Sequence, residues 1–317
     1  MADDSVRLLT KVATLYYRNR LTQEEIAARL GLSRQTVGRY LRRAEEQGIV
    51  EIHIRSPLLF ATELENRLEA AFGLTEAIVV VPPADTDDAV KAALGEAAAG
   101  FLQRRVQNGD IIAVSWSSTL LECARHLERS APRRVTVVQM NGSMDRSSYS
   151  TRAEYIIDRI AKAFGGEAVT LVVPMLVDRV DIKTSLLSDS RIAAALEMAG
   201  RANVAMFGVG DVSEHSSLYK AGYVDDGMLA RLRAAGAVGD ICGRFYDAQG
   251  RPCVPDINER TLAIELESLR SKALSVAVAG TLAKVDAILG ALRGHYCNVL
   301  VTDEEAARVL VERSGSS

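Results

Sequence analysis

LTQEEIAARLGLSRQTVGRYL, residues 21–41, holds two helices and the sharp turn between them. Thr22-Gln23-Glu24-Glu25 is a capping box: the Thr22 hydroxyl can accept from the Glu25 amide while the Glu25 carboxylate reaches back to the Thr22 amide. A helix therefore starts at Thr22 or Gln23. Ala27, Gly31 and Val37 follow in register, with Ile26, Leu30, Leu32 and Tyr40 in the apolar positions around them. Ala27 is small enough for two helices to cross closely, Gly31 can take the positive φ that ends a helix abruptly, and Val37 anchors the next helix, which Ser33 caps. That combination predicts a helix-turn-helix.

Upstream, residues 5–18 space Val6, Leu9, Val12, Ala13 and Tyr16 as one buried helix face requires. On the helix after the turn, Val37, Leu41 and Ala44 face inward and leave Arg34, Gln35, Gly38, Arg39 and Arg42 outward, with no acid among them. Arginine can bond a guanine edge bidentately and glutamine an adenine edge, while further arginines neutralise phosphates. The candidate DNA-binding set is Thr22, Ser33, Arg34, Gln35, Thr36, Arg39, Tyr40, Arg42 and Arg43. After Gly48, Val50, Ile52 and Ile54 alternate with Glu51 and His53, the pattern of a wing strand. Ser56-Pro57 breaks it, so residues 1–56 read as a winged helix-turn-helix and 57–317 as a second domain. That domain begins with a linker helix over 57–74, whose apolar positions Leu64, Leu68, Ala71 and Phe72 end at Gly73.

Charge agrees with this division. The net charge is −3, but residues 1–56 carry +3 and the remainder −6, a basic head on an acidic body. Cys123, Cys242, Cys253 and Cys297 form neither a CxxC pair nor a cysteine/histidine zinc pattern, and read as reduced, buried thiols with no metal role. No leader or membrane-spanning run is legible, which places the chain in the cytoplasm as an expectation.

From Ala77 onward, strands expected at 78–81, 111–114, 135–140, 169–173, 204–207, 274–279 and 298–302 alternate with helical segments. This is the pattern of an α/β domain with a Rossmann-like, mainly parallel sheet covered on both faces. Ligands of such sheets bind where strand C-termini meet helix N-termini. Four turns there carry polar chemistry. Ser115-Trp116-Ser117-Ser118-Thr119 offers hydroxyls and free amides to an anion. Asn141-Gly142-Ser143 and Gly208-Val209-Gly210-Asp211 follow two further strands; the second lacks the last glycine of a dinucleotide fingerprint, which argues against NAD. Lys284 opens the helix after Ala279-Gly280-Thr281, where its ammonium could meet a phosphate, and Gly239 to Asp247 adds carboxylates suited to carbohydrate hydroxyls.

Taken together, LTQEEIAARLGLSRQTVGRYL, GDIIAVSWSSTL, VVQMNG, VAMFGVGD, SLYKAGYVDD, AVGDICGRFYDAQG and AGTLAKVDAILGALRGHYCNVLVTDEEAA give a chain that resembles the SorC family of bacterial sugar-binding transcriptional regulators over nearly its whole length. The resemblance implies a winged helix on an effector domain related to sugar-phosphate isomerases, assembled as a tetramer and switched by phosphorylated sugars or polyols, with no cofactor. It implies effector contacts at Asp240, Cys242 and Lys284 and a phosphate-side loop at 115–119, where many relatives carry glycine in place of Ser115 or Ser117. With the turns, the candidate effector set is Ser115, Ser117, Ser118, Thr119, Gln139, Asn141, Gly142, Gly208, Gly210, Tyr219, Asp240, Cys242, Phe245 and Lys284. Expected partners are operator DNA, a sugar or sugar phosphate and further copies of the chain, with no membrane. The competing reading is a sugar-phosphate isomerase-like enzyme with an accessory DNA-binding domain. None of His53, His126, His215 and His295 falls in the candidate turns, which weakens that reading. A purely structural nucleoid or adaptor protein would not need the polar turns.

Overall fold

The capping box forms as its residues require. In the computed structural model, which describes residues 2–50, 59–131, 133–143 and 150–315, the Thr22 amide donates to Glu25 Oε2 at 2.7 Å and the Glu25 amide to Thr22 Oγ1 at 3.3 Å. The chain divides into two compact units, Met1–Leu59 and Phe60–Ser317. In the first, helix α1 (Ala2–Ala13) runs on through a π-helical turn, Thr14–Arg18. Helix α2 (Gln23–Leu30) ends at Gly31 with φ +64°, and α3 (Arg34–Glu46) starts at Ser33, whose hydroxyl accepts from the Thr36 amide. Val12, Leu15, Ile26, Ala27, Val37 and Leu41 close the small core. The expected wing strand, with His53, and the expected boundary at Ser56-Pro57 lie outside the described residues, apart from Val50, which is half-buried.

The second unit opens with α4 (Leu59–Phe72) and β1 (Glu76–Val80), followed by α5 (Asp87–Arg105), β2 (Ile111–Val114), α6 (Ser118–His126), β3 (Thr136–Gln139), α7 (Ala153–Ala163) and β4 (Glu167–Val169). Then come α8 (Val180–Leu187), α9 (Ser190–Arg201), β5 (Val204–Phe207), β6 (Gly210–Asp211), α10 (Ser217–Lys220), α11 (Asp226–Ala234) and the hairpin β7 (Ala237–Ile241) and β8 (Arg244–Asp247). The chain ends with α12 (Pro255–Asn258), β9 (Leu274–Val278), α13 (Val285–Arg293), β10 (Val299–Asp303) and α14 (Glu304–Ser314).

Among the described residues the main sheet has seven strands in the order β1-β10-β9-β5-β2-β3-β4, all parallel. Both faces are covered, because separate apolar clusters fill the two sides of the strands: Val114 and Val137 face one, Ala113 and Val138 the other. The order reverses beside β2. Its successor β3 lies on one side and β5 on the other, which leaves a crevice at the C-terminal ends of β2 and β5.

Three expectations are corrected. The strand expected at 169–173 pairs with β3 only as far as Val169, because the Leu171 amide donates to the Gln139 side chain instead of a strand carbonyl. Residues 239–247, where no strand is expected, form a β-hairpin that pairs with β6; its two-residue turn, Cys242-Gly243, has φ +55° and +77° as a type I′ turn requires. Lys284 closes a short 3-10 turn, Leu282–Lys284, one residue before α13.

Close contacts fix α4 against the sheet and α5 against α6. At the sheet edge, α4 buries Ala61, Leu64 and Leu68, and its Glu69 and Glu65 carboxylates accept the outward amides of Ala77 and Val79, each at 2.9 Å. Where α5 crosses α6, a Cβ on Gly95 would lie 2.5 Å from the Glu122 Cβ and 2.7 Å from the Cys123 backbone nitrogen. Gly95→Ala gains up to about 1 kcal/mol of helix propensity but must push two helices apart at backbone atoms that cannot yield. The expected net result is a loss of about 1–3 kcal/mol, read as a lower urea midpoint at unchanged m-value; an unchanged midpoint would show that the crossing relaxes freely.

Candidate functional site

The crevice beside β2 opens into a cavity of about 810 Å³ in the second unit. Its walls come from strand ends and helix starts: Ser115 to Thr119 after β2, Asn141 after β3, Gly208 to Ser213 after β5, the hairpin turn, and Thr281 to Lys284 before α13. Ten of the fourteen sequence-predicted effector residues line it: Ser115, Ser117, Ser118, Thr119, Asn141, Gly208, Gly210, Asp240, Cys242 and Lys284.

The other four sit behind the wall. Gln139 is buried, donates to the Asn141 carbonyl at 2.7 Å and to Ser143 Oγ at 3.0 Å, and so braces the turn after β3. The Gly142 carbonyl accepts the Trp116 indole N–H at 3.0 Å, and a Cβ there would meet the Val173 carbonyl oxygen at 2.5 Å. The Tyr219 hydroxyl donates to Asp226 at 2.5 Å, and Phe245 is core.

Ser117 caps α6 by accepting from the Leu120 amide at 3.1 Å. Among the described residues, nothing accepts from the amides of Ser118 and Thr119, which leaves two donors at a positive helix end. Lys284 is half-buried and makes no ion pair among the described residues. Burial lowers its pKa, and Asp211 and Asp240 offset part of that. Thr281, beside it, has φ +78° and ψ 148°, a region L-residues rarely adopt; its amide donates to Asp303 Oδ2 at 2.5 Å, a carboxylate that also caps α14.

Asp240, close enough to Lys284 for each to shift the other's pKa, is 6% exposed and accepts from the Gly243 amide at 2.9 Å. A Cβ on Gly210 would lie 2.1 Å from its Oδ1, so only glycine lets β6 pass this close to the carboxylate. Burial pushes the Asp240 pKa up to about 6, against the opposing pull of the Gly243 amide and Lys284. Burial and the Asp240 charge push the Cys242 thiol well up, so it is a neutral, inert wall. Asn141 lines the same cavity, and its buried Oδ1 has no hydrogen-bond partner among the described residues. An acceptor stranded in this way costs on the order of 1–3 kcal/mol unless something donates to it.

Sequence reasoning missed Trp116, Asp87, Lys91, Met175, Arg233 and His215, all of which line the cavity. Trp116 stood inside a quoted turn and could have been included. His215 lies outside the four candidate turns but lines the cavity, and its exposed ring touches none of the buried carboxylates by a hydrogen bond. In the first unit, Arg34, Gln35, Arg39, Arg42 and Arg43 are exposed on α3, while Tyr40 is half-buried against the helix core. Arg34 meets an acid after all, Glu24 of α2, at 3.6 Å between two exposed side chains. The Thr22 hydroxyl is engaged with Glu25.

The family described as "Putative sugar-binding domain" matches residues 56–312, and "Winged helix-turn-helix DNA-binding" matches 13–51. The chain is 37% identical to the deoxyribonucleoside regulator of Bacillus subtilis (strain 168), over 98% of this chain and 99% of that one. It is 32% identical to the sorbitol operon regulator of Klebsiella pneumoniae, over 98% and 99%. The chain belongs to the SorC family of sugar-binding transcriptional regulators. The crystal structure of full-length SorC from Klebsiella pneumoniae superimposes with a TM-score of 0.75 at 32% identity, covering 96% of this chain and 98% of that one. As a SorC family member, the chain joins a helix-turn-helix to an α/β sugar-binding domain, and the relatives it matches are named as regulators, not enzymes. Among the described residues no helix is long and apolar enough to cross a membrane.

Proposed function

We propose that this chain is a cytoplasmic, ligand-switched regulator of a carbohydrate or polyol catabolic operon, and that its effector is a small phosphorylated sugar. Residues 1–56 bind operator DNA through the exposed arginines and Gln35 of α3, and residues 57–317 bind the effector and hold the chains together as a tetramer. One observation carries the reading: a single cavity is lined by free amides, hydroxyls and a lysine and also by a buried carboxylate. The amides and the lysine suit an anion, and the carboxylate suits hydroxyl donors. A phosphorylated polyol or sugar carries both.

The test is operator affinity, measured with and without each member of a panel of phosphorylated and free sugars and polyols. A typical coupling of about 1–3 kcal/mol shifts operator affinity roughly 5- to 150-fold, and by linkage DNA shifts ligand affinity equally. If no panel member moves operator affinity the reading fails, and turnover of any member would favour the isomerase-like alternative. Lys284→Ala should stay folded, bind operator as before and lose the response, because a charge-assisted hydrogen bond of about 1.5–3 kcal/mol is removed. Equal ligand affinity in wild type and variant, measured by calorimetry, would remove Lys284 from the site.

A further inference from the structure

Lys91 stands in the second turn of α5 and lines the same cavity as Ser118, Thr119 and Lys284. Its position follows from the packing at Gly95. Both α5 and α6 run back along a parallel sheet, and they touch backbone to backbone where Gly95 meets Glu122 and Cys123. One turn toward the N-terminus from that contact is Lys91 on α5 and the Ser118-Thr119 pair on α6. Two elements thus bring a cation and two free amides to the same rim.

We propose that Lys91 is a second cation of the anion subsite, held in reserve by Asp87, and that it makes the subsite select a doubly charged phosphate over a singly charged carboxylate. This rests on the effector reading above and adds to it a residue and a charge preference. The Lys91 side chain is only 25% exposed, but its ion partner, Asp87, is on its own helix and 66% exposed. A pair spaced i,i+4 and open to water on one side is weak and easily exchanged. Among the described residues, Asp87 is the one carboxylate within ion-pair distance of Lys91. Burial lowers the Lys284 pKa and Lys91 adds to the lowering, as expected of two ammonium groups sharing one wall, while Asp211, Asp240 and Asp87 oppose it. A dianion can pair with both ammonium groups at once, whereas a monoanion gains less from the second.

The experiment uses the full-length chain in phosphate-free buffer and inorganic phosphate as the probe, at about pH 8 where the dianion dominates. Acetate serves as the singly charged comparison, and melting curves without probe confirm folding of each variant. Wild type should bind phosphate and not acetate. Lys91→Met should bind phosphate about tenfold more weakly, Lys91→Arg should restore most of the loss, and Asp87→Asn should bind severalfold more tightly, because the competing carboxylate is gone. That gain should disappear when Asp87→Asn is combined with Lys91→Met, which a merely structural pair does not predict. Phosphate binding that is unchanged in Lys91→Met, or no gain in Asp87→Asn, overturns the assignment of Lys91 while leaving the effector reading intact. Equal binding of acetate overturns the charge preference. Failure of wild type to bind phosphate sinks both this inference and the anionic end of the effector reading.

Discussion

Replacing Arg39 and Arg42 together by Ala should reduce operator affinity by about a hundredfold or more at physiological salt. Both side chains are exposed on α3, one turn apart, on the face opposite Val37, Leu41 and Ala44. A lost base contact costs about 1–3 kcal/mol, and a lost phosphate contact also lowers the salt slope by about one. The two arginines therefore separate by measurement. A base-reading arginine, once removed, relaxes preference at one operator position; a phosphate-binding one weakens all sequences alike. Titration of the single and double variants by fluorescence anisotropy across a range of salt decides between these roles. Undiminished binding by the double variant would take α3 out of the interface. Effector affinity should not change in any of them, because that cavity is built within the other unit.

Asp240→Asn is expected to make the protein more stable at neutral pH and less able to bind its effector. The buried carboxyl titrates near 6, where a solvated aspartate titrates near 4. Between those values the folded chain holds a proton that the unfolded chain has released, so this group's contribution to stability is greatest at low pH and falls as pH rises through about 6. Above that, the ionised carboxylate costs about 2–3 kcal/mol, a cost that Asn, which can still accept from the Gly243 amide, does not carry. The stability gap between variant and wild type should accordingly be largest near pH 7.5 and shrink toward pH 4.5, as read from urea midpoints. A gap of equal size at both pH values would mean that folding does not raise the Asp240 pKa. Retention of a destabilising charge at this position is what a site shaped for a ligand's hydroxyls and for Lys284 would show.

The parts legible in the sequence were those with local causes. The helix-turn-helix announced itself because cap, small residue, turn glycine and anchor each act within a few residues. The strands β2, β5 and β9 are short apolar runs bounded by polar turns, and the turns at 115–119 and 208–211 lie at the cavity for the same reason. The features that failed to show depended on distant partners. The β7–β8 hairpin hides behind Gly239 and Asp240, which look like loop residues until Gly210 and Ala287 are seen to press against them. Lys91 and Asp87 look like any charged pair on a solvated helix, and only the crossing at Gly95 turns them toward a cavity. Gln139 and Phe245 share motifs with residues that reach the cavity, yet one braces a turn and the other fills the core.

The two carboxylates that α4 lays along the outer edge of β1 bear on how such proteins can be recombined. An uncovered parallel edge offers its amides to any passing strand. Here Glu65 and Glu69 occupy those amides, while Leu64 and Leu68 seal the adjoining apolar face. The helix that leads out of the DNA-reading head is thus a structural part of the body. A natural or engineered exchange of heads has to join upstream of Leu59, so that the incoming module arrives on a complete α4; a junction placed after Gly73 would exchange specificity at the expense of an open sheet.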